Sequence, residues 1–87
     1  MKRESEQVAE HVTEQVGALI RVLKNKALGT RALMVALGLK HRPTFVYDYL
    51  QPSLSRGQVE MTQPDSPKSP TQKYRLTENG RGLLENR

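Results

Sequence analysis

The first pattern of apolar and polar positions runs from residue 5 to residue 24 and has the period of an α-helix. Its apolar side chains recur at steps of three and four residues: Val8, Val12, Val16, Leu19, Ile20 and Leu23. Ser5 precedes the pattern as a candidate N-cap, and Lys24 follows it, where the helix dipole favours a cation. We therefore expect a helix over residues 5–24 whose apolar stripe faces the core or, in part, a partner subunit.

Two further helices are predicted after a break at residues 27–29, where a very short strand and a glycine turn fit best. Thr30 is a candidate N-cap for the first of them, which Gly38 ends. The next begins at Pro43, because the missing amide of proline costs nothing in a first helical turn. Its inward face carries Phe45, Tyr49, Leu50 and Leu54. Pro52 lies inside this helix and predicts a bend or a loosened turn.

The last third of the chain predicts a β-hairpin followed by a short helix. Residues 58–62 and 72–77 alternate apolar and polar side chains, as half-buried strands do. Residues 63–71 contain three prolines and two serines, so we expect an extended hairpin loop there. Thr77 is a candidate N-cap for a terminal helix that carries Leu83 and Leu84.

This order of elements indicates the α+β class and a winged helix-turn-helix. It consists of three helices, a two-stranded β-hairpin wing and a short C-terminal helix, which form one domain over residues 1–87.

The composition excludes several classes of protein. There is no cysteine, so neither a disulfide nor a thiolate metal site can form. The sequence contains no apolar run long enough to span a membrane and no signal peptide at its start, so we expect a cytoplasmic domain without membrane contact. We find no nucleophile with a matching base and no paired carboxylates. We therefore expect no enzymatic activity, no cofactor, no metal and no small-molecule ligand.

Charge is distributed unevenly along the chain, whose net charge is +5. Residues 1–23 hold three basic and four acidic side chains, whereas residues 24–87 hold eleven basic and five acidic ones. The positive field of the second part favours polyanions, above all nucleic acid. Solubility alone is the competing explanation.

The segments "LMVALGLKHRPTFVYDYLQPSLSRGQVEMT" and "SPTQKYRLTENGRGLL" resemble the C-terminal winged-helix segment of bacterial RecG-like ATP-dependent DNA helicase-related proteins and transcriptional regulators. A similar segment ends some Fic-family proteins. The resemblance implies a winged helix, DNA binding and a fragment of a longer protein. It does not imply helicase activity, because this chain has no G-x-x-x-x-G-K-[ST] phosphate-binding loop.

In a helix-turn-helix the second helix enters the major groove by its N-terminal end, so cations there meet phosphates. The candidate DNA-binding residues lie at this helix start, on its outer face and in the wing: Lys40, His41, Arg42, Thr44, Tyr47, Gln51, Lys68, Lys73 and Arg75. An ordinary solvated turn and mobile wing lysines are the competing interpretations, and Tyr47 can instead cover apolar surface. Arginine is frequent in the family at the positions of Val46 and Tyr47, and Asp48 beside them repels phosphate.

Three hypotheses follow. The first is a non-catalytic module that binds duplex DNA for a larger bacterial regulator or helicase-related protein. The second is a protein-interaction module, with a possible homodimer through the first helix. The third, RNA binding, has little support because the strands carry no glycine–aromatic stacking pattern.

Overall fold

A computed structural model describes residues 12–85, and over this range four helices and one two-stranded antiparallel sheet follow each other. The helices are α1 (Glu14–Val22), α2 (Thr30–Leu37), α3 and α4 (Glu78–Glu85). Helix α3 runs without a break through three segments: Arg42–Thr44, a π-helical Phe45–Leu50 and Gln51–Ser55. The strands are β1 (Val59–Met61) and β2 (Tyr74–Leu76). These elements confirm the α+β class.

Helix α1 begins at Glu14 because Thr13 caps it. The Thr13 backbone is extended, and its hydroxyl oxygen accepts a hydrogen bond of 3.1 Å from the Val16 amide. The expectation of one helix from residue 5 to residue 24 is therefore wrong at Thr13. Residues 5–11, with the Ser5 cap, lie outside the described residues. The apolar stripe of α1 packs in the chain's own core, with Val16 only 3% and Ile20 only 2% exposed.

Helix α2 is capped at its start by Gly29 and not by Thr30, which is already the first helical residue. It ends as predicted at Gly38, whose φ of 73° lies in the left-handed region that glycine adopts without strain. The very short strand before it is present as a single bridge. Leu28 and Tyr74 exchange two backbone hydrogen bonds of 3.0 and 2.8 Å. This bridge fastens the chain before α2 to strand β2.

Helix α3 begins at Arg42, one residue before the predicted Pro43, with His41 at the N-cap position. Its π-helical segment lies directly before Gln51 and Pro52, so the loosened turn expected from Pro52 is present. Phe45 is fully buried and Leu50 is also in the core.

The hairpin pairs Val59 with Leu76 and Met61 with Tyr74, so the apolar residues of the two predicted strands lie opposite each other. The long hairpin loop is present between β1 and β2, and its backbone forms a series of turns. The turns are organised by Gln72, which is 7% exposed. Its side chain accepts a hydrogen bond from the Gln63 amide and donates to the carbonyls of Gln63 and Ser66.

Helix α4 starts after Thr77, as predicted, because the Thr77 hydroxyl oxygen accepts a hydrogen bond of 3.2 Å from the Gly80 amide. Gly80 is buried and lies directly against the backbone of Gln58. Any side chain at this position would overlap the Gln58 carbonyl.

One core joins helices α1, α2 and α3 to the hairpin. Its buried apolar side chains are Val16, Leu19, Ile20, Leu23, Leu33, Phe45, Leu50, Val59, Tyr74 and Leu76. No helix within residues 12–85 combines the length and the apolar character needed to cross a membrane.

Candidate nucleic-acid interface

Two clefts meet at the start of α3, and both are lined by Thr30 and Arg42. The first has a volume of about 440 Å³ and lies between the start of α2 and the hairpin loop, which contributes Lys68. The second, of about 570 Å³, runs along α2 to Lys40. We call the surface formed by the two clefts the corner surface.

The corner surface is cationic. The basic residues that line it are Arg31, Lys40, Arg42 and Lys68, and all four are exposed. No Asp or Glu is among the described residues that line either cleft. Among the described residues that line the clefts, no carboxylate offsets these four cations, which suits a polyanion.

Three of the predicted site residues come together on this surface. Lys40 and Arg42 line one cleft, and Arg42 and Lys68 line the other. Residues separated by 26 positions in the sequence thus share a cleft, because the wing loop folds back toward the start of α3. Their role in DNA binding stays a prediction.

The predicted residues after Arg42 in α3, and His41 before it, do not line the clefts. A hydrogen bond of 3.0 Å joins the Nδ1 atom of His41 to the Thr44 hydroxyl, across the first turn of the helix. Tyr47 is 65% exposed, so most of its ring covers no apolar surface of this chain. Gln51 is also exposed, as is Asp48. The outer face of α3 is therefore open to a partner but carries an acid.

The other two predicted wing residues are placed differently. Lys73 is exposed on the returning arm of the hairpin. Arg75 forms an ion pair of 2.7 Å with Glu60 across the strands and lines a separate groove with Lys24 and Lys26. An exposed pair of this kind contributes little to stability, about 0–1 kcal/mol. The structure does not bring Arg75 to the corner surface.

Arg31 was not among the predicted site residues, but it lies in the first turn of α2 and lines the second cleft. In a helix-turn-helix the first helix crosses the DNA backbone, so a cation near its start is well placed for a phosphate. The sequence signal that could have identified Arg31 is its position directly after Thr30, the predicted N-cap of this helix.

We find no group of three or more His, Cys, Asp or Glu side chains that could hold a metal ion among residues 12–85. The expectation of a non-catalytic domain stays a prediction.

Comparison with known proteins identifies what the chain is similar to. Residues 14–77 match the family described as "Filamentation induced by cAMP protein Fic-like, C-terminal domain". The chain is also similar to a Fic family protein from Desulfovibrio desulfuricans G20, whose crystal structure has a resolution of 2.70 Å. The identity is 53% and the TM-score is 0.75. The match covers 87% of the present chain and 23% of the longer one. No curated protein matches the chain. These matches support the Fic-family part of the resemblance, whereas the helicase-related part stays a prediction.

Proposed function

The chain belongs to the Fic-like C-terminal domain family, and from this premise we propose that it is a non-catalytic winged helix-turn-helix that binds duplex DNA for a larger Fic-family protein. Cytoplasmic location and assignment of residues 1–87 to one domain are part of this proposal.

The order and pairing of the elements support the winged-helix assignment. Helices α2 and α3 are joined by a turn of four residues, 38–41, as in a helix-turn-helix. The hairpin that follows α3 supplies the wing, and the isolated Leu28–Tyr74 bridge fastens the segment before α2 to it. In this arrangement α3 is the recognition helix.

The observation that carries the DNA proposal is the shared cleft of Arg42 and Lys68. These cations come from the start of the recognition helix and from the wing, which are the two parts of the fold that a duplex would meet together. Each phosphate that they neutralise releases counterions, so the binding energy depends on salt.

Asp48 and Tyr47 shape the kind of binding that we propose. An exposed carboxylate on the outer face of α3 repels the DNA backbone, and the exposed face offers few donors for base edges. We therefore expect affinity to come mainly from phosphate contacts, with low sequence specificity.

The test uses the 87-residue chain and a fluorescently labelled 20-base-pair duplex, with binding measured by anisotropy between 50 and 200 mM salt. We expect affinity to fall steeply with salt. The double variant Arg42→Ala/Lys68→Ala removes two phosphate contacts, so the slope of log K against log salt should become shallower by about 1.8.

The matched control is Lys24→Ala/Lys26→Ala, which removes the same charge from two exposed lysines of a separate groove. It should change affinity much less than the Arg42/Lys68 pair. Absence of binding at 50 mM salt, or equal losses in the two double variants, would refute the proposal.

Exposed apolar side chains favour protein binding as a second candidate function. Val35 is 74% exposed and Tyr47 is 65% exposed. The apolar stripe of α1 is buried in the core of the chain, so a homodimer through α1 would have to form through the exposed face of this helix. Light scattering after gel filtration tests this candidate. A concentration-dependent increase in mass that Val35→Glu abolishes would support it, and a monomer at all concentrations would exclude self-association.

A further inference from the structure

The π-helical segment of α3 separates the part of the helix that carries Arg42 from the part that packs against β1. Compared with an uninterrupted α-helix, a π-helical turn holds one extra residue. Each residue of an α-helix turns the chain by about 100°. With the extra residue in Phe45–Leu50, the start of α3 is therefore rotated by about 100° about the helix axis compared with an uninterrupted α-helix. This rotation sets the direction of Arg42 relative to the wing.

Local hydrogen bonding explains why the extra residue is tolerated here. Pro52 has no amide, so the α-helical bond to the Asp48 carbonyl cannot form. The Gln51 amide instead donates to the Val46 carbonyl, five residues back. The Ser53 hydroxyl donates to the carbonyls of Tyr49 and Leu50, at 3.0 and 2.8 Å, from a fully buried position.

Loss of the extra residue would also change which apolar side chain of α3 fills the core. Phe45 fills the core in the observed register, and its neighbour Val46 is half-buried. Without the extra residue, Val46 would move into the place of Phe45, so that space would stay apolar but hold a smaller side chain. Arg42 would leave the cleft that it shares with Lys68.

We propose that Pro52 and Ser53 are positioning residues that hold the π-helical turn and thereby keep Arg42 in the cleft with Lys68. The consequence for DNA affinity rests on the proposed function, whereas the consequence for geometry does not.

The geometric test labels the two sides of the cleft. The chain has no cysteine, so Arg42→Cys/Lys68→Cys creates two unique positions for nitroxide spin labels. Pulsed electron paramagnetic resonance then gives the distance between the labels. On a helix of about 5–6 Å radius with side chains, a rotation of 100° moves the label by about 8 Å. We expect Pro52→Ala to add a second distance population shifted by that order.

The matched control is Pro43→Ala in the same helix, because Pro43 lies in the first turn, where the missing amide has no helical partner. It should leave the distance distribution unchanged. Ser53→Ala should shift the distribution in the same direction as Pro52→Ala, and it replaces that variant if Pro52→Ala does not fold. An unchanged distribution in the folded variant tested would overturn the proposal.

DNA binding provides the second readout, measured on the unlabelled chain. If the chain binds duplex DNA as proposed, Pro52→Ala should make the salt slope shallower by up to about 0.9, the contribution of one phosphate contact. A second distance population without any DNA binding would support the positioning role and refute the proposed function. DNA binding with an unchanged distance would support the proposed function and refute the positioning role.

Discussion

Gly80→Ala tests the close approach of α4 to the hairpin. Alanine is the better helix former by about 1 kcal/mol, so local propensity alone predicts a more stable protein. The structure predicts the opposite. The new Cβ atom would lie well inside 3.0 Å of the Gln58 carbonyl oxygen and 3.1 Å from the Leu76 Cδ2 atom.

The magnitude follows from what must move. The closest atom belongs to the backbone directly before β1, so it cannot rotate away as a flexible side chain would. Overpacking a tight contact costs about 1–3 kcal/mol, and the rigid backbone places this contact at the upper end. After the propensity gain is subtracted, Gly80→Ala should lower the free energy of unfolding by about 2 kcal/mol. In a domain of this size that lowers Tm by about 8–16 °C.

Gly82→Ala is the matched control in the same helix, because a Cβ atom there meets nothing within 4 Å. It should stabilise the protein by about 0.5–1 kcal/mol. Thermal unfolding followed by circular dichroism measures both variants. A Tm for Gly80→Ala equal to or above that of the parent chain would refute the packing argument, and a large loss in Gly82→Ala would show that α4 is held differently.

Two further predictions concern caps and buried polar groups. Thr13→Ala removes the hydrogen bond to the Val16 amide and should lower the free energy of unfolding, measured by urea titration, by about 1 kcal/mol. The control Gln15→Ala changes an exposed side chain in the first turn and should leave the free energy of unfolding unchanged. Equal effects of the two variants would exclude Thr13 as the cap. Gln72→Met keeps the length of the buried side chain but loses its three hydrogen bonds, so it should cost about 2 kcal/mol. It should also speed hydrogen exchange of the Gln63 amide, which donates to the Gln72 side chain. A cost near zero would contradict the organising role of Gln72.

The candidate site was predictable in part. Lys40, Arg42 and Lys68 were identified from charge beside a predicted helix start and at a predicted loop tip, and both features are local. The shared cleft of Arg42 and Lys68 was not determined locally, because it depends on how the wing loop folds. Arg75 shows the same limit, since its ion pair with Glu60 and its separate groove follow from strand register.

The sequence by itself determined the order of the elements and most of their ends. Apolar periodicity distinguishes helix from strand, and Gly38 and Thr77 stop and start helices through their own backbone and hydroxyl groups. Pro52 also predicted a loosened turn, because the amide that it lacks removes a hydrogen bond within one turn of the helix.

Only the tertiary structure decided how the wing loop folds around Gln72 and why α4 needs glycine at position 80. Each of these outcomes depends on atoms that are distant in the chain and close in space, and patterns within one element contain no record of such contacts.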